Sequence, residues 1–193
     1  RTVFPPLLQA VRESPMVIFH VVGGGPYYQH LPGYRRAVEL AGEPVPQVTQ
    51  IEADAALERL RRFRADNVFV GRHNRPDVQR GHAKLDFAPE ARPIGEEGIA
   101  EDAHQLFGLC RHHGANHLIY AGFAVNWCLL MPPGGMVDMS RRGIMCSVLR
   151  QAVTAVENKE TARRELCKEL ALWRVSLAFG FVFDADALIT ALG

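Results

Sequence analysis

The 193-residue sequence is poor in cysteine, and none of its four cysteines belongs to a C-x-x-C pair. So few thiols, this far apart in the chain, do not make a disulfide scaffold, and the missing C-x-x-C spacing excludes the common zinc and redox motifs. Because structural disulfides mark oxidising compartments, cytoplasmic placement is the default expectation. The cysteines are Cys110, Cys128, Cys146 and Cys167.

An excess of charge of either sign is also missing. The 22 basic and 21 acidic side chains leave a formal net charge of +1, which provides no field to attract nucleic acid or anionic lipid. No run of about 18 apolar residues occurs, so the sequence predicts no membrane-spanning helix. At this length, with 48% apolar residues, we expect one globular domain over residues 1–193.

The sequence does contain an alternation of strand-like and helix-like segments. Short runs rich in β-branched residues, such as 16–22 and 117–122, are separated by segments with helical spacing. Strands joined by helices of about 10 to 20 residues predict parallel βαβ units, and therefore a three-layer α/β/α fold with a mostly parallel sheet. In such sheets, ligands bind at the carboxyl ends of the strands.

Several local predictions bear on the site and on the surface. Residues 16–22 are predicted to be a strand buried on both faces, residues 67–70 a further short strand, and residues 72–93 a long loop. Two helices are predicted to turn an apolar face inward. The first face comprises Ala53, Ala56, Leu57, Leu60 and Phe63, and the second comprises Ala162, Leu166, Leu170, Trp173 and Leu177.

Cys128 is the residue whose position in the sequence most strongly suggests a catalytic role. It follows the predicted strand at 117–122, and we place it in the first turn of a helix that Pro132 and Pro133 break early. A helix N-terminus stabilises a thiolate, and free backbone N–H groups there bind an oxyanion. The residues alone leave two interpretations open, a nucleophile or the small buried hydrophobe that a free cysteine commonly is.

The stretch that ends at Cys128, Tyr-Ala-Gly-Phe-Ala-Val-Asn-Trp-Cys, resembles the nucleophile motif of the isochorismatase-like cysteine hydrolases. Elements from about residue 100 to 192 follow that family's order well, whereas residues 1–70 match in element order only. The resemblance implies a Rossmann-like sheet between helices, and hydrolysis of a small amide or related C–N bond through a thioester on cysteine. It implies a small-molecule substrate and a homo-oligomer; no cofactor is expected.

The resemblance also implies roles for residues around the thiol. Cys128 would be the nucleophile of an Asp–Lys–Cys triad, a cis peptide would join Phe123 to Ala124, and the N–H groups of Ala124 and Cys128 would be the oxyanion donors. Lys84 is the candidate for the cationic partner because it is the only lysine before Cys128. An exposed loop lysine is the competing interpretation.

The catalytic base has no candidate, since no aspartate occurs before Asp54. The family's base ends an apolar strand that precedes the first helix, and this sequence begins in that helix. We therefore expect a first strand, carrying the base, upstream of Arg1 in a longer natural chain. The alternative is an inactive member that serves as a binding or assembly module. Val125 and Gln151, where the family has Thr and Asp, favour the alternative.

The remaining site candidates are aromatic, polar and imidazole side chains. Tyr27, Tyr28, Asn126 and Trp127 are candidate pocket walls, and packing is the alternative role for the aromatic ones. No metal site is expected, because His20 and its neighbours in the sequence provide no set of three carboxylate or imidazole ligands.

Overall fold

The chain has a mixed α/β fold, and the computed structural model describes residues 2–43 and 49–193. Eight α-helices and five β-strands alternate along this part of the chain. The helices are α1 (Phe4–Arg12), α2 (Pro32–Ala41), α3 (Ala55–Asn67), α4 (Gly71–His82), α5 (Ala103–His113), α6 (Met136–Ser140), α7 (Leu166–Ala178) and α8 (Ala185–Leu192). The strands are β1 (Phe19–Val21), β2 (Gly98–Ala100), β3 (His117–Phe123), β4 (Met145–Thr154) and β5 (Val182–Phe183).

The strands form two parallel sheets within the described residues. β1 pairs with β2, and His20 lies opposite Ile99. The second sheet has the order β3-β4-β5, with His117 of β3 opposite Met145 of β4. The predicted α/β class with parallel strands is confirmed, and its strands are divided between these two sheets.

β4 separates two apolar cores. On one face, Cys146 and Val148 join the larger core, to which α5, α6 and α7 contribute. On the other face, Leu149 and Ala152 pack against α1 and α8. Helices therefore cover both faces of the β3-β4-β5 sheet, which is the predicted three-layer arrangement. None of the helices in the described ranges is long and apolar enough to cross a membrane.

A partly buried ionic cluster attaches α1 to the smaller sheet. Arg12 Nε lies 2.7 Å from Glu97 Oε1, and His20 Nε2 lies 2.8 Å from Glu97 Oε2. Burial alone would raise the pKa of Glu97, but the hydrogen bonds from Arg12 and His20 lower it to about 2. Burial is also the main cause of the lowered pKa of His20. The cluster joins the C-terminal end of α1 to β1 and to the residue just before β2.

The prediction for residues 53–93 is wrong in three respects. Residues 67–70 contain a turn in place of a strand, and much of the predicted loop is α4. Neither α3 nor α4 has a buried residue, and Leu60 and Phe63, predicted to face inward, are 67% and 68% exposed. A β-branched run needs a neighbouring strand to become part of a sheet, and α3 and α4 pack chiefly on each other.

The predicted strand at 16–22 is shorter and more exposed than expected. Only Phe19–Val21 has strand geometry, and Val17 and Val21 are 43% and 45% exposed. A strand buried on both faces needs helices on both sides and a neighbour along each edge. Within the described residues, β1 has a neighbour along one edge only.

α7 turns a different face inward from the one predicted. Its buried residues are Ala171, Leu172 and Val175, while Leu170 and Trp173 face solvent. α7 carries apolar residues on two sides, so helical spacing fits either side equally well. Contact with β4 and β5 decides which side is buried.

Candidate active site

Cys128 lies in a series of turns over residues 125–130 that follows β3. The prediction that it begins a helix is wrong, because the next helix, α6, begins only at Met136. Two prolines cannot donate the N–H bonds of a continuing helix, and Gly134 adopts a positive φ of 75°. The turns are closed by local bonds such as Met131 N–H to Trp127 O, at 2.8 Å. Within the described residues, Cys128 therefore does not lie in the first turn of a helix.

The loop after β3 is anchored to the end of β4. The Val125 N–H donates to Thr154 O at 2.7 Å, and the Val125 side chain is fully buried. The Asn126 amide donates to Val156 O at 2.9 Å and accepts from Val156 N–H at 2.8 Å. Asn126, a candidate pocket wall, thus has its amide engaged in holding the loop in place.

Cys128 is exposed, and its loop carries backbone N–H groups without a partner among the described residues. Within the described part of the chain, the N–H groups of Ala124, Asn126 and Cys128 donate to no protein atom, whereas those of Val125, Trp127 and Leu129 do. The peptide bond between Phe123 and Ala124 is cis. Free N–H groups next to a nucleophile are the donors that a tetrahedral oxyanion requires.

The loop that carries Cys128 reaches the carboxyl ends of β1 and β2. A Cβ added to Gly134 would lie 3.2 Å from Val21 Cγ1 and 3.9 Å from the Asp102 carbonyl carbon. On its other side, the Gly134 carbonyl accepts a hydrogen bond from the Tyr120 hydroxyl at 3.0 Å. Cys128 therefore lies at the edge of the fold where parallel α/β proteins bind their ligands.

Tyr27 and the segment around Lys84 lie close together, on the chain that follows β1 of the smaller sheet and at the end of α4. Tyr27 lines a cavity of about 500 Å³ between residues 24–27 and the C-terminal end of α4, with lining residues that include His82 and Leu85. Lys84 is exposed beside this cavity, and the described residues contain no ion pair to it. No residue of the Cys128 loop lines the cavity. The structure thus shows no contact between the predicted nucleophile and its predicted cationic partner.

The other two aromatic candidates have different environments. Tyr28 is buried and donates its hydroxyl to Glu101 at 2.7 Å, so it packs in the interior and does not line the cavity. Burial, followed by the Glu101 carboxylate, raises its pKa. Trp127, next to the thiol, is 56% exposed, and its ring lies at the surface beside the loop.

Glu101 is a carboxylate that no sequence motif singles out. It directly follows β2, and its carboxylate accepts hydrogen bonds from the hydroxyl groups of Tyr28 and Tyr34, each at 2.7 Å. These bonds fix the segment after β1 to the end of β2. The two tyrosines and Glu101 are far apart in the sequence, so no local pattern links them.

The described residues contain no group of three histidine, cysteine or acidic side chains suited to a metal ion. His20 and Arg12 both pair with the Glu97 carboxylate, at 2.8 Å and 2.7 Å. The loop around Cys128 offers an exposed thiol and backbone N–H donors, which are the groups that nucleophilic attack on a carbonyl requires.

Comparison with known proteins gives a structural likeness. The sequence matches no protein-family model and no curated protein. Twelve chains of solved structures match it. One of them is a cysteine hydrolase from Pseudomonas syringae pv. phaseolicola 1448A, with a TM-score of 0.56 and 16% identity over 98% of this chain and 79% of that one. The chain therefore has the fold of a cysteine hydrolase, as the resemblance around Cys128 predicts.

Proposed function

We propose that the protein is a cysteine-dependent hydrolase of a small amide or related C–N bond, with Cys128 as the nucleophile. The observation that carries the proposal is an exposed cysteine in a loop in which the N–H groups of Ala124 and of Cys128 itself have no partner among the described residues. The shared fold with a cysteine hydrolase supports the same chemistry. The α/β edge on which the loop lies is the usual location of ligand sites.

The proposed reaction has two stages. Cys128 Sγ attacks the carbonyl carbon, the oxygen takes up the negative charge, and the N–H groups of Ala124 and Cys128 stabilise it. The C–N bond then breaks, the nitrogen leaves with a proton, and the acyl group remains on sulfur as a thioester. Water attacks the thioester, releasing the acid and restoring the thiol.

The thiol proton must pass to a base, and no acidic or imidazole side chain of the described residues hydrogen-bonds Cys128. Two open strand edges suggest where the base comes from. No backbone hydrogen bond joins Phe19 or Val21 of β1, or Ile119 or Ala121 of β3, to any described residue outside its own sheet. Unpaired backbone along a strand is a template for another strand.

We therefore infer that a further parallel strand, outside these 193 residues, pairs between β1 and β3. Its carboxyl end would lie at the edge that holds Cys128, where a terminal aspartate would accept the thiol proton. Lys84, beside the cavity at this edge, is the candidate cation for that aspartate and for the oxyanion. Hydrogen exchange tests the strand: the amides of Val21 and Ala121 should exchange fast in this chain and slowly in a longer natural one. Equal exchange in both would contradict it.

Turnover of a panel of small amides tests the nucleophile in the longest natural chain. Cys128→Ala should abolish hydrolysis, whereas Cys167→Ala, which removes a partly exposed thiol elsewhere, should leave it unchanged. Acid quenching during turnover should trap the acyl group on Cys128, seen as a mass increase of its peptide. Retained activity in Cys128→Ala would overturn the assignment.

The second candidate function is a non-catalytic binding or assembly module. Gln151, where the family has aspartate, accepts the Ala185 N–H at 2.9 Å and donates to Asp184, so it holds the start of α8. Iodoacetamide distinguishes the two functions. An activated Cys128 should react with iodoacetamide near neutral pH much faster than Cys110, Cys146 or Cys167. Equal, slow labelling of the four thiols, together with no turnover, would favour the module.

A further inference from the structure

α7 carries a second apolar stripe that faces away from the core. Its members are 45–66% exposed. The stripe comprises Leu166, Leu170, Trp173 and Leu177. The opposite side of the same helix is buried against β4 and β5. A helix that is apolar on both sides is normally covered on both, and a contiguous exposed apolar patch marks an interaction surface.

The spacing of the stripe indicates which partner covers it. The intervals are four, three and four residues, so the pattern reads the same in both directions along the helix. When a second copy is placed antiparallel across a two-fold axis, Leu166 meets Leu177 of the partner subunit, and Leu170 meets Trp173 of the partner subunit. Two-fold contacts between identical chains require such a self-complementary surface.

We propose that α7 forms the interface of a homodimer, in which this stripe packs antiparallel against the same stripe of a second copy. With four large side chains each about half exposed, the stripe offers on the order of 400 Å² per copy, so that the two stripes and their rims together approach the roughly 1,200 Å² of the smaller specific interfaces. Glu169 and Arg174 flank the stripe on opposite sides, which gives an apolar centre with a charged rim.

The other exposed apolar helix is a poorer surface for self-association. α3 exposes Leu60 and Phe63, but it also carries Arg59, Arg61, Arg62 and Arg64. Two copies of α3 would bring like charges together in a desolvated contact, which costs free energy. α3 therefore serves as the matched control for α7.

The mass of the protein in solution tests the dimer. Light scattering at 1–100 μM should give twice the 21.4 kDa of one chain. Trp173→Glu and Leu177→Lys, each shown by circular dichroism to be folded, should both halve the mass. Phe63→Glu, on the equally exposed α3, should leave it doubled. A single-chain mass for the unsubstituted protein, or a doubled mass in both α7 variants, would overturn the proposal.

Cross-linking tests the antiparallel register independently of mass and of Cys128 chemistry. In a Cys128→Ser background, the double variant Leu166→Cys/Leu177→Cys should be cross-linked between chains by a short bismaleimide. Leu166→Cys alone should not exceed the background variant, because two-fold copies of position 166 would lie about 16 Å apart along the helices. Equal cross-linking of the single and double variants would overturn the register, whether or not Cys128 is catalytic.

Discussion

α3 and α7 are both helices of 13 residues that carry large apolar side chains, but only α7 buries part of its surface in the core. α7 buries Ala171, Leu172 and Val175 against the β3-β4-β5 sheet. α3 buries none of its residues and packs chiefly on α4. The apolar spacing in each sequence is helical and predicts a core-facing side. What separates them is the presence of a sheet alongside, which local spacing does not encode.

The first prediction substitutes a leucine on each of these helices. Leu172, 1% exposed, packs in the main core, so Leu172→Ala removes buried methyl groups and leaves a cavity. The free energy of unfolding should fall by about 2–5 kcal/mol. Leu60→Ala on α3 should change it by less than about 0.5 kcal/mol, since this side chain is 67% exposed. Urea unfolding followed by circular dichroism measures both, and equal losses would show that α3 is packed.

The elements nearest to the larger sheet were the ones predictable from sequence. β3 and β5 lie where β-branched and aromatic runs predict them, and Gly114 ends α5 with a positive φ of 65°, as its position after the last helical residue predicts. Residues 67–70 have the composition of a strand but no neighbouring strand. Pairing between distant segments decides such cases, and it cannot be inferred from a short run.

The second prediction concerns the cluster that ties α1 to β1 and β2. Glu97 has a pKa lowered to about 2 by Arg12 and His20 against the opposing effect of burial, whereas its ordinary value is near 4.3. Its stabilising contribution is therefore complete above about pH 5 and lost as the pH falls toward 2, and it amounts to about 3 kcal/mol at neutral pH. Glu97→Gln should remove that contribution at pH 7.

Chemical denaturation at several pH values checks the direction in which the free energy of unfolding changes with pH. His20, whose pKa is lowered chiefly by its partial burial, also disfavours the folded state as the pH drops below about 6.5. The unsubstituted protein should thus lose stability continuously from pH 7 to pH 3, and Glu97→Gln should show a shallower decline below pH 5. Parallel declines in the two proteins would mean that Glu97 does not carry the acid sensitivity.

The candidate site was predictable only where a local motif describes it. Cys128 and the cis bond between Phe123 and Ala124 belong to one contiguous stretch, and the thiol is exposed at the carboxyl edge as that stretch suggests. The roles of Tyr28 and Asn126 depend on Glu101 and Val156, which are distant in sequence. The prediction that Cys128 lies in the first turn of a helix was wrong because two consecutive prolines delay the next helix to residue 136.

The third prediction places a methyl group where two helices touch. A Cβ on Gly108 of α5 would lie 2.8 Å from the backbone carbonyl of Leu40 in α2, closer than the two helices allow. Gly108→Ala should therefore push α2 away and cost about 1–3 kcal/mol, even after the gain in helix propensity. Thermal unfolding of the variant measures the loss. A stability equal to that of the unsubstituted protein would show that α2 and α5 are less closely packed.

The smallest effect is expected from the same substitution in the exposed pair of helices. A Cβ added to Gly81 of α4 would meet no atom within 4 Å beyond its own stretch of helix, and the φ of Gly81 is not in the left-handed region. Gly81→Ala should therefore add about 0.5–1 kcal/mol to the free energy of unfolding, because alanine loses less backbone entropy than glycine in a helix. If thermal unfolding shows that Gly81→Ala stabilises the protein and Gly108→Ala destabilises it, the boundary of the packed part of the fold lies between α4 and α5. A loss at Gly81 would instead mean that α4 is covered in solution, since only a neighbouring surface makes an added methyl group unfavourable there.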